Sequence, residues 1–116
     1  MIGSVLTAIV GLIHVYILVL EMFLWDTPRG RKAFGTTEDF SKATKVLAAN
    51  QGLYNGFLAA GLFWGVWLGD AGHSVKIFFL ICVAIAGVYG AATAGMRILM
   101  VQTIPALIAL VAVLFM

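Results

Sequence analysis

Two ionisable side chains, His14 and Glu21, interrupt the first apolar stretch of the chain, residues 2–25. A titratable group placed in hydrocarbon costs about 3 kcal/mol or more, so such a group normally faces a protein interior or a wet cavity. Seven residues separate the two, which is two helical turns, so both lie on one stripe with Leu18 between them. Their axial offset is roughly 10 Å at 1.5 Å per residue. An intramembrane histidine suits general acid or base work, or ligation of haem iron, although a lone histidine lends haem little support. A carboxyl group there is a candidate for coupling proton movement to transport. It is equally a partner for Arg97 in a structural ion pair.

Polar residues of the other apolar stretches fall at a comparable depth. Asn50, Gln51, Tyr54 and Asn55 occupy the first half of the second stretch, with Gln51 and Asn55 four apart, as are Asn50 and Tyr54. Tyr89, Thr93 and Arg97 form an i, i+4, i+8 stripe on the third, and Gln102 opens the fourth. The expectation is a polar cavity opening towards the cytoplasm, with His14 at its floor. The plainer alternative is that these amides are hydrogen-bonding glue between helices, worth about 1 kcal/mol each. No His-x-x-x-His or Glu-x-x-His pairing occurs, which disfavours a multi-ligand metal site.

The elements that would carry these residues are four apolar stretches, about 2–25, 47–68, 75–96 and 99–116. Each approaches the ~20 residues a helix needs to cross a ~30 Å hydrocarbon core. The composition agrees: of 116 residues, 63% are hydrophobic and 10% charged, and soluble domains run nearer a quarter charged. The expected fold is therefore an all-α integral membrane protein, a single four-transmembrane-helix bundle over 1–116. The first stretch carries no positive residue ahead of it, and Glu21 and Trp25 stand where a small-residue cleavage site would be, so it reads as a retained helix and not a signal peptide. Cys82 is the only cysteine, which excludes an internal disulfide.

Charge placement orients the bundle. Arg29, Arg31, Lys32, Lys42, Lys45 and Arg97 lie on one side, against Lys76 on the other. This bias puts both termini outside and the 26–46 loop in the cytoplasm. Basic residues so close to the membrane are explained by anionic headgroups, and nucleic-acid binding is not expected. Within the loop, Pro28 to Phe34 reads as a short surface helix stopped by Gly35. Thr36 and Thr37 read as N-caps with Glu38 and Asp39 in the next first turn. From Glu38 no breaker precedes Gly52, so the second helix is expected to run on from Glu38 through Leu68, roughly 45 Å. Gly52 and Gly56, then Gly61, Gly65 and Gly69, repeat every four residues, a seam that lets backbones approach closely within the bundle or between subunits. Gly69 to His73 is a short turn that makes the second and third helices antiparallel neighbours. Pro105 either sits in a first turn after Thr103 or kinks a helix begun near Leu99.

Three family resemblances bear on this reading. His14-Val15-Tyr16, Leu20-Glu21-Met22-Phe23-Leu24-Trp25, Lys32-Ala33-Phe34-Gly35 and above all Asn50-Gln51-Gly52-Leu53-Tyr54-Asn55 resemble a family of small bacterial membrane proteins designated domain of unknown function 1304. That resemblance covers nearly the whole chain and implies four spans without an activity. A weaker similarity in layout is to the membrane-associated eicosanoid and glutathione metabolism proteins, which are four-span trimers. Their glutamate following the helix-two asparagine is missing here, where Leu53 and Tyr54 stand, so glutathione is not supported while a trimer is. The small multidrug exporters also carry a glutamate in their first span, but at mid-helix and with little charge bias.

Three functions follow as expectations. The first is a cavity accepting a small lipophilic or amphipathic molecule, with Glu21, Asn50, Gln51, Asn55 and Arg97 orienting its polar end and His14 as acid or base. Tyr54, Tyr89, Thr93 and Gln102 complete its lining. The second is a proton-coupled exporter working through Glu21. The third is a structural or accessory bundle. Membrane lipid is the expected surrounding, and a homo-oligomer, with a trimer favoured, the expected assembly.

Overall fold

The apolar run that opens the chain coils into one long helix, α1, over Ile2–Met22. The structure, a computed structural model, describes residues 1–95, 97 and 99–116. Helix α1 stops three residues before Trp25 for a reason that lies at Pro28. Proline biases the residue before it away from helical backbone, and Thr27 is extended (φ −124°, ψ 162°). The chain turns in between: Leu24 N–H reaches back five residues to Val19, and Thr27 donates through both N–H and Oγ1 to the Leu24 carbonyl.

Thr27 then caps α2, Pro28–Phe34, by accepting from Gly30 N–H at 3.2 Å. Gly30 is buried against the Leu24 carbonyl oxygen, where a Cβ has no room. Gly35 ends α2 in the left-handed region at φ 68°, a conformation that glycine adopts without a Cβ penalty. Thr37 caps α3, Glu38–Ala43, and two acidic residues occupy its first turn. These boundaries agree with the capping signals in the sequence.

The expected continuous helix from Glu38 to Leu68 is instead broken at Thr44, with α4 beginning at Lys45 and ending at Trp67. Thr44 has non-helical backbone (φ −108°, ψ 9°). Its hydroxyl donates to the Phe40 carbonyl at 2.7 Å and accepts from Trp25 Nε1 at 3.1 Å. A threonine hydroxyl that back-bonds to the i−4 carbonyl competes with the helix and bends it.

A 3₁₀ turn at Gly69–Gly72 leads into α5, His73–Thr93. A π turn, Leu99–Thr103, precedes α6, Ile104–Phe115, where Pro105 lies in the first turn. Of the two readings of Pro105, the first-turn placement is the observed one. Met96, the end of the third apolar stretch, and Ile98 lie outside the described residues. Among the described residues the regular structure is all helical, in six α-helices. Two of these, α1 and the segment Gly69–Thr93 containing α5, are long and apolar enough to cross a membrane. Helix α4 spans 23 residues but carries Lys45, Asn50, Gln51, Tyr54, Asn55 and four glycines, and α6 has only 12 residues.

The chain forms two compact units, Met1–Ile13 with Leu58–Met116, and His14–Phe57. The first has an apolar core of Val10, Leu62, Leu80, Val83, Ala106 and Ala109, all 2% exposed or less. Its close approaches use small residues. Gly61 faces the Phe79 ring, Gly65 faces Lys76 and Val75, and Gly87 faces Thr103. Thr103 fixes the π turn by donating Oγ1 to the Ala84 carbonyl at 3.1 Å. The second unit is built differently, from capped short helices, ion pairs and the Asn55–Glu21 hydrogen bond between its long elements.

Candidate functional site

In the second unit, α1 and α4 approach along glycines. A Cβ at Gly56 would stand 2.7 Å from Leu18 Cδ1, and Gly52 faces Met22, the Glu21 Cβ and the Leu18 carbonyl. These two members of the glycine seam therefore serve contact within the chain. The close approach brings the carboxylate of Glu21 to Asn55, whose Nδ2 donates to Glu21 Oε1 at 2.5 Å. Asn55 Nδ2 also donates to the Gln51 carbonyl one turn back, at 3.2 Å. One amide group thus ties the helix backbone to the carboxylate and fixes its rotamer.

His14 lies in the same unit and is wholly buried, with interactions to its surroundings. Asn50, exposed, donates Nδ2 to the Val46 carbonyl one turn back at 3.1 Å. Gln51 and Tyr54 are exposed, and Tyr54 packs against Phe57 with ring centroids 6.1 Å apart. Tyr16 is held by Arg29, whose Nη2 donates to the phenol oxygen at 3.3 Å and whose Cζ stands 5.9 Å from the ring centre. Trp25 packs on Phe34 with ring centroids 4.9 Å apart. Arg31 pairs with Asp26 at 2.8 Å, and Lys42 with Glu38 at 3.1 Å. The Lys42 ammonium donates to the Glu38 carboxylate, and with its charge and that of Arg31 holds this exposed carboxyl below its ordinary value of 4.5.

The remaining expected site residues belong to the first unit. Thr93 donates Oγ1 to the Tyr89 carbonyl of its own helix at 2.8 Å. Tyr89 is exposed on an open apolar groove of about 490 Å³, whose walls include Ala84, Val88, Ala92, Thr103 and Leu107. Arg97 is exposed and Gln102 half-buried in the π turn, and both have interactions with their neighbours. Of the expected residues, the structure joins Glu21 to Asn55 directly. The others fall either elsewhere in that unit or in the other one.

Sequence reasoning missed one polar site altogether. Lys76, expected only to lie on the side opposite the other basic residues, is buried in the first turn of α5 and donates Nζ to Ser4 Oγ at 3.0 Å. Nothing in local spacing could have paired residues 72 positions apart. The one available signal was a lysine set among apolar residues, Val75 and Ile77 to Leu80.

A comparison with known proteins gives the chain its family. A family model described as "Protein of unknown function (DUF1304)" matches residues 8–114. The uncharacterized protein YpaA of Lactococcus lactis subsp. lactis is 28% identical over 113 residues, covering 96% of this chain and 95% of the relative. No solved structure matches. The match to residues 8–114 runs from within α1 into α6, including Glu21, Asn55 and the segment between them, and the chain belongs to the DUF1304 family.

Proposed function

We propose that this chain is a multi-pass plasma-membrane protein that binds a small lipophilic or amphipathic molecule, with a polar site centred on Glu21 and Asn55. The observation that carries the reading is the hydrogen bond from Asn55 to Glu21, made 34 residues apart between two long helices. A carboxylate in an apolar helix is retained at a cost unless it is used or paired. Asn55 orients that carboxylate while leaving its second oxygen for a ligand.

The membrane setting is supported by surface chemistry. Exposed apolar residues run along α1 as Ile2, Val5, Ile9 and Leu12, and along α5 as Phe78, Ile81, Ile85 and Val88. Contiguous apolar surfaces of this kind are an aggregation liability in water and are at rest against lipid. In this reading α1, α4, α5 and α6 are the four spans. The 26–46 loop, with five of the seven basic residues, is cytoplasmic and both termini are outside. The assembly is a homo-oligomer, most simply a trimer.

The same hydrogen bond favours a second reading, in which Glu21 and Asn55 only hold α1 to α4 in a structural or accessory bundle. Native mass spectrometry of the protein in mild detergent, with an absorption spectrum of the same sample, separates the two. The binding reading expects a discrete retained mass, or a Soret band if His14 holds haem, that is lost in Glu21→Gln and Asn55→Ala while the variants stay folded. A bare species in every variant, with only a lowered melting temperature, would sink it. Should ligand addition release protons in wild type and not in Glu21→Gln, the molecule is a proton-coupled carrier.

A further inference from the structure

At one end of the first unit a second, smaller cavity of about 230 Å³ is lined by Ser4, Asp70, His73 and Lys76 together with Met1 and Met116. Lys76 is the unusual member. Its residue is 7% exposed. Its ammonium carries three donors, yet Ser4 Oγ is its one hydrogen-bond acceptor among the described residues and no carboxylate pairs with it. A buried ammonium is tolerated when opposite charge and acceptors surround it, and here Ser4 supplies one neutral acceptor while no carboxylate stands within ion-pair distance. Two N–H groups are left for something in the cavity.

The lysine is held there by its packing. Gly65 leaves the space its stem fills, since a Cβ at Gly65 would lie 2.8 Å from Lys76 Cγ. Behind it Gly72 sits so close to the Gly65 carbonyl oxygen that no larger residue fits. The stem is thus enclosed on the α4 side, and Ser4 fixes the head from α1. Asp70 lines the same cavity from the 3₁₀ turn and is exposed. An anion alone would meet the field of that carboxylate. A molecule carrying both charges would satisfy each wall.

We propose that this cavity binds a zwitterionic amine bearing an anionic oxo group, with the anionic oxygens on Lys76 and Ser4 and the ammonium facing Asp70. Phosphoethanolamine has this chemistry, whether as a lipid headgroup or as a free solute. The site shares no residue with the Glu21–Asn55 pair, so either can fail without the other.

The test uses full-length protein in mild detergent and two probes, O-phosphoethanolamine and inorganic phosphate, titrated by calorimetry. A parallel arm reads by native mass spectrometry which lipid is retained from a mixture of phosphatidylethanolamine, phosphatidylcholine and phosphatidylglycerol. Saturable binding of O-phosphoethanolamine, tighter than that of phosphate and weakened at least tenfold by Lys76→Met, is the expected result. Asp70→Asn should erase the preference over phosphate. Selective retention of phosphatidylethanolamine assigns a lipid source, and binding of the soluble probe without lipid selectivity assigns a free one. Because Lys76→Met removes a packed side chain, Ser4→Asp is the second variant. It places a carboxylate beside the ammonium, and should raise the melting temperature while abolishing binding. Glu21→Gln should leave the binding of both probes and the lipid selectivity unchanged. No saturable binding and no selective lipid in the wild type, or binding undiminished in both Lys76→Met and Ser4→Asp, would overturn the proposal.

Discussion

The two compact units differ in what holds them together. The unit of Met1–Ile13 and Leu58–Met116 has a core of wholly buried leucine, valine and alanine side chains. The unit of His14–Phe57 is organised by directional bonds: threonine caps on two short helices, the Arg31–Asp26 and Lys42–Glu38 pairs, and the Asn55–Glu21 bond. Packing answers to volume, whereas caps and hydrogen bonds answer to chemistry. Substitutions that change one without the other should therefore separate the units.

The largest effect is expected where volume is removed from the packed unit. Leu80 is 0% exposed in its core, and Leu80→Ala should cost about 2–5 kcal/mol, read as a fall in the denaturation midpoint. The comparison would break if Leu47→Ala, at a position 66% exposed in the other unit, cost as much. Next comes Gly30→Ala, where the new Cβ meets the Leu24 carbonyl oxygen. Overpacking of this kind should cost about 1–3 kcal/mol, read as chemical-shift changes centred on α2. Asn55→Ala should cost about 1 kcal/mol as the lost interhelical bond, and in a ligand-retention assay its effect should exceed that small stability loss. Thr37→Ala removes the acceptor for Phe40 N–H, 3.2 Å away. It should cost about 1 kcal/mol, confined to α3 and visible as faster amide exchange in its first turn.

The smallest effect is a titration. Glu38 is held below its ordinary 4.5 by its hydrogen bond from Lys42, then by the charges of Lys42 and Arg31. A depressed carboxyl contributes stability that is fully present above 4.5 and is lost as pH falls through the lower folded value. Lys42→Ala should move the Glu38 carboxyl titration, followed by nuclear magnetic resonance, upward towards 4.5. An unchanged midpoint would show that the pair is not formed in solution.

Much of the second unit was legible in the sequence because its signals are local. Thr27, Pro28, Gly35 and Thr37 each act on the backbone within three or four residues, and α2 begins and ends, and α3 begins, where those residues dictate. The break at Thr44 was not legible, because it depends on Trp25 reaching a hydroxyl 19 residues away. The same distinction governs the candidate sites. Glu21 stood out as a charge in an apolar run, and Asn55 as an amide in another, but only the folded chain joins them. Lys76 was read only as the basic residue on the opposite side from the rest, and its partner, Ser4, lies 72 positions away in the sequence. The length and apolarity that a membrane crossing needs were legible for α1 and α5, and α4, with its polar first half, is not among the helices that meet that measure.

Helices α2 and α3 have seven and six residues. Helices of that length do not sustain themselves in water, because nucleation is unfavourable and too few turns follow to offset it. Their persistence rests on two threonine hydroxyls and one left-handed glycine, with the Arg31–Asp26 and Lys42–Glu38 pairs and the packing of Trp25 on Phe34 beside them. The 28–43 segment is therefore a latch with a time-dependence of its own. It should open and reclose many times while α1 and α4 stay wound, and a protease added to the folded protein should cut there first, between elements that it cannot yet reach.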